Sequence, residues 1–504
     1  MFKRWRFVLT LLAGFVLLLL CTHHHPPQSC SRNPAAEVSY ETLLHQHEER
    51  YLQLSTNLTK QISQLKKDLR EKSRQLQRSA VIFSLDPEEK THSDLERFLQ
   101  NQLKRAETGS GERVSDEFSV VPFESFTLHR VYQLETGLSR HPVERPIRPD
   151  RRSELDGVLE SALHVLNDHQ PGDSQHRRSY SPKDFFEGIF RTERDKGTLY
   201  DLVFGENISP DFRRLIFFRP FAPLIKVTDE FIDTSQILIN IIVPLTNQLE
   251  IFRRFMQNFS KVCIRQEERT HLTVVLFGSE KMDEVKGILD EISRTMKYRN
   301  FTLIHLNEEF SRARGLEVGV GAWTHSNVLL FFCNVNVHFT AEFLSSCRIN
   351  AAAGQKVFYP VMFSQYNPEV IYGHNVPPPP PHEEQLVVRK DFGFWKDFDF
   401  GMTCQYRSDF LKMGGFDVPV KGRDTEDTHL YRKYLQSRLK VIRAPSRGLF
   451  HVWTEILCSE DLSTDSFKFC LWSKAMNEAS LAQMADLLFQ QQINNHLQKH
   501  NKQI

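Results

Sequence analysis

The chain has 504 residues, 40% of them hydrophobic and 25% charged, and a formal net charge of +1. That composition is globular rather than disordered or collagenous, and the length suits two or three domains with tails rather than one core. The near-neutral balance excludes a general nucleic-acid binder, because affinity for a phosphate backbone needs a concentrated basic surface.

Lys3, Arg4 and Arg6 precede an apolar run, residues 7–21, that carries no charge. A cleavable signal peptide and a retained signal-anchor are the two readings. No small-x-small cleavage site follows Cys21, and the basic flank favours a cytosolic N-terminus. The expectation is a single-pass type II anchor, with residues 1–6 as cytosolic tail and the remainder luminal. At about 1.5 Å per residue, so short a span suits a thin early-secretory bilayer.

Residues 22–120 read as a luminal stem, with a helical stretch at about 40–78. Leu58, Ile62, Leu65, Leu69 and Leu76 keep a near-heptad seam there, and Lys72 interrupts it. A coiled coil that forms homo- or hetero-oligomers and a lone amphipathic helix both fit. Sequons at Asn57, Asn258 and Asn300, and one at Asn207 weakened by Pro210, support a luminal location. The cysteines form no C-x-x-C pair or zinc spacing. In a luminal domain some of them form disulfides, and the odd number beyond Cys21 leaves at least one thiol unpaired.

Residues 121–235 are mixed and aromatic, an accessory α+β segment. From residue 236 to 490 strand and helix patterns alternate, the signature of an α/β sheet, and residues 491–504 form a tail. The stretches 237–245, 271–278 and 301–310 are strand candidates, each followed by a helix. Val328 to Phe339 reads as one buried central strand with Asn334, Asn336 and His338 along one face of its C-terminal end, where an open α/β sheet binds its ligand. Residues 356–365 are the next strand. The proline run 377–381 and the aromatic, glycine-bearing stretch 393–417 suit a mobile acceptor-binding region rather than regular sheet. Thr425 to Leu435 is a helix, 439–445 a strand, and Ser473 to Gln491 a closing helix.

Transfer of a sugar from a nucleoside diphosphate needs a cation or basic donors against the leaving diphosphate, and a carboxylate to take the acceptor's proton. Glu426-Asp427, at the start of a helix, is the best candidate for the carboxylate, with simple N-terminal capping as the structural alternative.

The stretches KVFYPVMFSQYNP, FDFGMTCQYRSDF, GGFD, EDTHLYRKYL, GLFHVW and SKAMNEAS resemble the chondroitin sulfate N-acetylgalactosaminyltransferases, as do VPFESFTLHRVYQLETGLSRHP and RTERDKGT upstream. The resemblance implies a GT-A-like fold, Golgi anchoring, UDP-GalNAc as donor, and a glucuronate-terminated glycosaminoglycan or proteoglycan acceptor. It implies that Val243 and Pro244 lie in the turn near uridine and Arg312 near the nucleotide, with Asp427 the base and Glu426 beside it in acceptor binding. Asn334 and Asn336 replace the two aspartates of the family's Asp-x-Asp metal site, which implies a manganese ion. Asp399 stands where the family motif has glycine, Glu317 where it has asparagine, and Arg423-Asp424-Thr425 where it has Trp-Gly-Gly. His451 remains, while Thr454 replaces a second histidine. Asn336 and His451 are therefore the candidate metal ligands, with His338 a further member of an altered site. Two carboxylates fewer weaken a hard-cation site. The implied function is transfer of N-acetylgalactosamine in chondroitin sulfate biosynthesis with an altered metal site. The alternatives are a non-catalytic relative that partners or stabilises a chondroitin-synthesising enzyme, and a luminal carbohydrate-binding module.

Overall fold

In the computed structural model the described residues are 111, 113–134, 144–168, 179–193, 196–205, 210–220, 223–266, 269–373, 380–417, 425–459, 464–485 and 487–489, with 64, 101 and 492 singly. The apolar run 7–21, the seam residues Leu58, Ile62, Leu65, Leu69 and Leu76, and Arg423-Asp424 lie outside them. No described helix is long and apolar enough to cross a membrane.

Seven antiparallel strands form the first sheet: β1 (Glu124–Phe126), β2 (Arg130–Tyr132), β3 (Glu144–Pro146), β4 (Phe185–Glu193), β5 (Gly197–Phe204), β6 (Asp211–Arg219) and β7 (Ile225–Asp233), in the order β3-β2-β1-β4-β5-β6-β7. Helix α1 (Pro149–Asn167) covers one face, packing Leu155, Val158 and Ala162 on Phe190, Tyr200, Leu202 and Phe204. Every β5 residue is buried, because the other face carries Ile189, Leu199 and Ile216 into the core of the second sheet. At this junction Arg214 and Asp201 form a fully buried ion pair, and Arg214 Nη1 donates to the Ile349 carbonyl at 3.1 Å.

The second sheet begins with three strand–helix units: β8 (Ile239–Leu245) and α2 (Leu249–Phe259), β9 (Thr270–Phe277) and α3 (Met282–Met296), β10 (Phe301–Leu306) and α4 (Arg312–Ala322). Strands β10, β9, β8 and β11 (Leu329–Phe332) run parallel. A parallel sheet covered on both faces requires strands that are apolar throughout. Thus Ile241 and Val243 of β8 enter one core, and Ile242 the opposite one. The sheet continues through β15 (Thr403–Tyr406), β13 (Lys356–Gln365), β16 (Lys440–His451) and β12 (Val337–Phe339), with β14 (Gly393–Trp395) on β13. Helices α5 (Ala341–Asn350), α6 (Arg407–Lys412), α7 (Thr425–Leu435) and α8 (Thr464–Glu478) complete the unit.

Four expectations are corrected. Val328 to Phe339 is two strands: β11 ends at Phe332, residues 333–336 turn, and β12 pairs with β16. The break is held by Asn258 of α2, whose side-chain amide accepts from Phe339 N at 3.1 Å and donates to its carbonyl at 3.0 Å, supplying the partners a further strand would. Residues 393–417 contain regular sheet: β15 lies between β11 and β13, and a Cys347–Cys404 disulfide joins it to α5. Val243 and Pro244 lie within β8, which stays paired with β9 through Leu245, rather than in the turn after it. The closing helix runs from Thr464 to Glu478 and breaks at Ala479-Ser480. A second disulfide joins Cys458 and Cys470, while Cys263 and Cys333 remain buried thiols.

Candidate functional site

The polar residues singled out in the sequence collect at the C-terminal ends of β8 and β11. Helix α4 starts there, its N-terminus capped by Ser311, whose side chain accepts from Arg314 N at 3.3 Å. Gly315 and Gly319 let α4 lie directly on β8, since a Cβ at 319 would stand 2.4 Å from Ile242 Cγ2 and one at 315 would stand 2.9 Å from Pro244. This close seat brings Arg312, the first residue of α4, over the β11 turn. Glu317 faces the other way, accepting from Phe416 N at 3.2 Å.

Arg312 is the hub. Its Nε donates to Asn334 Oδ1 at 2.8 Å, Nη1 to Asp427 Oδ1 at 2.5 Å, and Nη2 to the Gly401 carbonyl at 2.6 Å. Asp427, in the first turn of α7, is only 6% exposed. An ion pair this buried persists only with such well-aligned hydrogen bonds. Gly401 is tightly enclosed, since a Cβ there would lie 3.1 Å from both Asp427 Oδ2 and Asp399 Oδ1 and would push on both carboxylates. Asp399 pairs with Lys396 at 2.8 Å and accepts from Gly401 N at 2.8 Å. Burial opposes its ionisation, yet Lys396, the Gly401 amide and Arg312 together hold its carboxyl well below the usual range. Beneath the loop, Arg443 lies 4.4 Å from the Phe400 ring, which stacks on Tyr431 of α7.

A second chain of hydrogen bonds runs from Asn336. Asn477 Nδ2 donates to the Ser473 carbonyl at 2.8 Å, which turns Asn477 Oδ1 toward Ser364, whose hydroxyl donates to it at 3.1 Å. Ser364 Oγ then accepts from His451 Nδ1 at 3.0 Å. His451 Nε2 is left as the acceptor and takes a hydrogen from Asn336 Nδ2 at 2.9 Å. Burial, then Lys396, pushes the His451 pKa down to about 3, with Asp399 opposing, so the ring is neutral.

The site residues thus form two groups: Arg312, Asn334 and Asp427 in one, Asn336 and His451 in the other. Glu426 sits beside Asp427 in the first turn of α7. Val243 is buried in the core, and Pro244 packs under α4. His338 belongs to neither group: its Nε2 is 3.4 Å from Asn258 Nδ2 and its ring faces His382. It borders a cavity of about 530 Å³ lined by Arg254, Asn258, Asn336, His382 and Thr454, among others. Ser364, Asn477, Lys396 and Gly401 were not anticipated. Only Asp399, a carboxylate in place of the motif's glycine, carried a visible signal.

The donor set does not suit a divalent cation. Among the described residues no three His, Cys, Asp or Glu side chains converge. Asn334 Oδ1 is engaged by a guanidinium, and the His451 Nε2 lone pair by an amide. Hard cations require several oxygen ligands, with carboxylates foremost.

A mostly parallel sheet with helices on both faces and a polar cluster at its strand C-termini defines an open α/β protein with its ligand site at that edge. Within that class the chain belongs to the chondroitin N-acetylgalactosaminyltransferase family, whose model matches residues 34–484. It is 51% identical over 482 residues to human chondroitin sulfate N-acetylgalactosaminyltransferase 1, covering 94% of this chain and 90% of that protein. Human chondroitin sulfate N-acetylgalactosaminyltransferase 2 is 49% identical over 477 residues, covering 91% and 88%. Human chondroitin sulfate synthase 3 is 37% identical over 256 residues, 49% of this chain and 28% of that protein. Solved structures align loosely: a mannosyltransferase from Pyrobaculum calidifontis covers 50% of this chain and 64% of its own at 13% identity and a TM-score of 0.31, too low to assign the fold.

Proposed function

We propose that this chain transfers N-acetylgalactosamine from UDP-GalNAc to glucuronate-terminated acceptors in chondroitin sulfate biosynthesis. The observation that carries the reading is the Arg312–Asp427 pair, set at the sheet's C-terminal edge in a chain 51% identical to a transferase of that name. Asp427 takes the proton of the attacking acceptor hydroxyl, and Arg312 orients the carboxylate through Oδ1. Glu426 contacts the acceptor sugar. The donor half is GT-A-like, with UDP lying across the ends of β8 to β11. Residues 7–21 anchor the enzyme in the Golgi membrane with this domain luminal.

The test uses the full-length chain in detergent with radiolabelled UDP-GalNAc and a glucuronate-terminated acceptor, with manganese or EDTA in parallel. Labelled product under either condition supports the reading. No product under both, from protein that unfolds cooperatively, contradicts it and favours the non-catalytic partner.

A further inference from the structure

We propose that this chain binds the nucleoside diphosphate without a divalent cation, because the side chains at the cation position form a closed, charge-balanced hydrogen-bonded set. The inference rests on the nucleotide-sugar reading above for the identity of the ligand, and concerns only how its diphosphate is held.

Three observations carry it. First, Asn334 offers its side-chain oxygen to Arg312 Nε at 2.8 Å, so a cation there would compete with a fixed guanidinium. Second, the relay from Asn477 through Ser364 aims the His451 Nε2 lone pair at Asn336 Nδ2, 2.9 Å away. The Asn336 amide therefore directs a donor, not an acceptor, into the space a cation would share with that histidine. Third, the charges close without a metal. Arg312 is paired with Asp427 at 2.5 Å and Lys396 with Asp399 at 2.8 Å. Aspartates at 334 and 336 would add two negative charges, which a dication would offset. Asparagines at both positions with no cation give the same net charge, so the diphosphate meets the same balance either way. Arg312 and Lys396 are the two basic side chains of the set, each held by its own carboxylate.

Calorimetric titration of UDP into the full-length chain in detergent tests this apart from transfer. UDP affinity is expected to agree within about twofold in EDTA and in manganese, and manganese alone should give no binding heat. The double variant Asn334→Asp/Asn336→Asp should bind UDP at least tenfold more weakly in EDTA and recover with manganese. Three results would overturn the proposal: a tenfold gain in wild-type affinity on adding manganese, no UDP binding in either buffer by cooperatively folded protein, or a double variant as tight as wild type in EDTA. Cation-free UDP binding without transfer would leave this inference standing and remove the transferase reading. Manganese-dependent transfer would do the reverse.

Discussion

Arg312 and Asp427, 115 residues apart, meet at 2.5 Å from the first turns of two helices, α4 and α7. Both side chains are largely buried, 14% and 8% exposed, so each depends on the other for charge balance. Arg312→Ala strands a buried carboxylate, which costs about 3 kcal/mol or more. The midpoint of urea unfolding should fall accordingly. Adding Asp427→Asn should restore much of the loss, giving a coupling energy well above that of an exposed pair. Additive single effects would show the pair to be incidental.

Acid should destabilise the fold through His451. Its folded pKa is pushed down to about 3, mainly by burial, against an ordinary value of about 6.5 when unfolded. Between those values the unfolded chain binds more protons, so stability falls as pH drops from about 6.5 toward about 3. His338, pushed to about 4 by burial and then His382, adds a limb of the same sign. His451→Gln should flatten the pH dependence of the urea midpoint across this window, and an unchanged slope would contradict a buried neutral ring.

Gly319→Ala places a Cβ 2.4 Å from Ile242 Cγ2. Overpacking of this kind costs about 1–3 kcal/mol. Because α4 carries Arg312, the lowered Tm should come with weaker UDP binding in calorimetry. The Gly321→Ala control, with nothing within 4 Å of its Cβ, should leave UDP affinity alone.

Sequence and structure part company where contacts are distant along the chain. The units β8–α2, β9–α3 and β10–α4 were legible because apolar runs alternate with helical periods. Val328 to Phe339 misled because periodicity marks burial, not chain reversal, and the reversal depends on Asn258, 81 residues away. Strand β15 was hidden because its partners are distant in sequence. In the site, Asp427 and His451 were visible, whereas Ser364 and Asn477 acquire their roles only through folded geometry.

Burial also separates the sequons. Asn258 is 6% exposed and bonded to β12, whereas Asn300 is exposed before β10. Peptide mapping of chain made in a secretory cell should find glycan on Asn300 and none on Asn258. A glycosylated Asn258 would contradict the folded position of α2.

Proton abstraction from the acceptor by Asp427 is measured by the single-turnover transfer rate of Asp427→Asn beside wild type, with UDP affinity measured on the same samples. The rate should be at least about 100-fold lower, with UDP affinity kept within a few-fold because Asn still accepts from Arg312. An unchanged rate at equal UDP occupancy would contradict it.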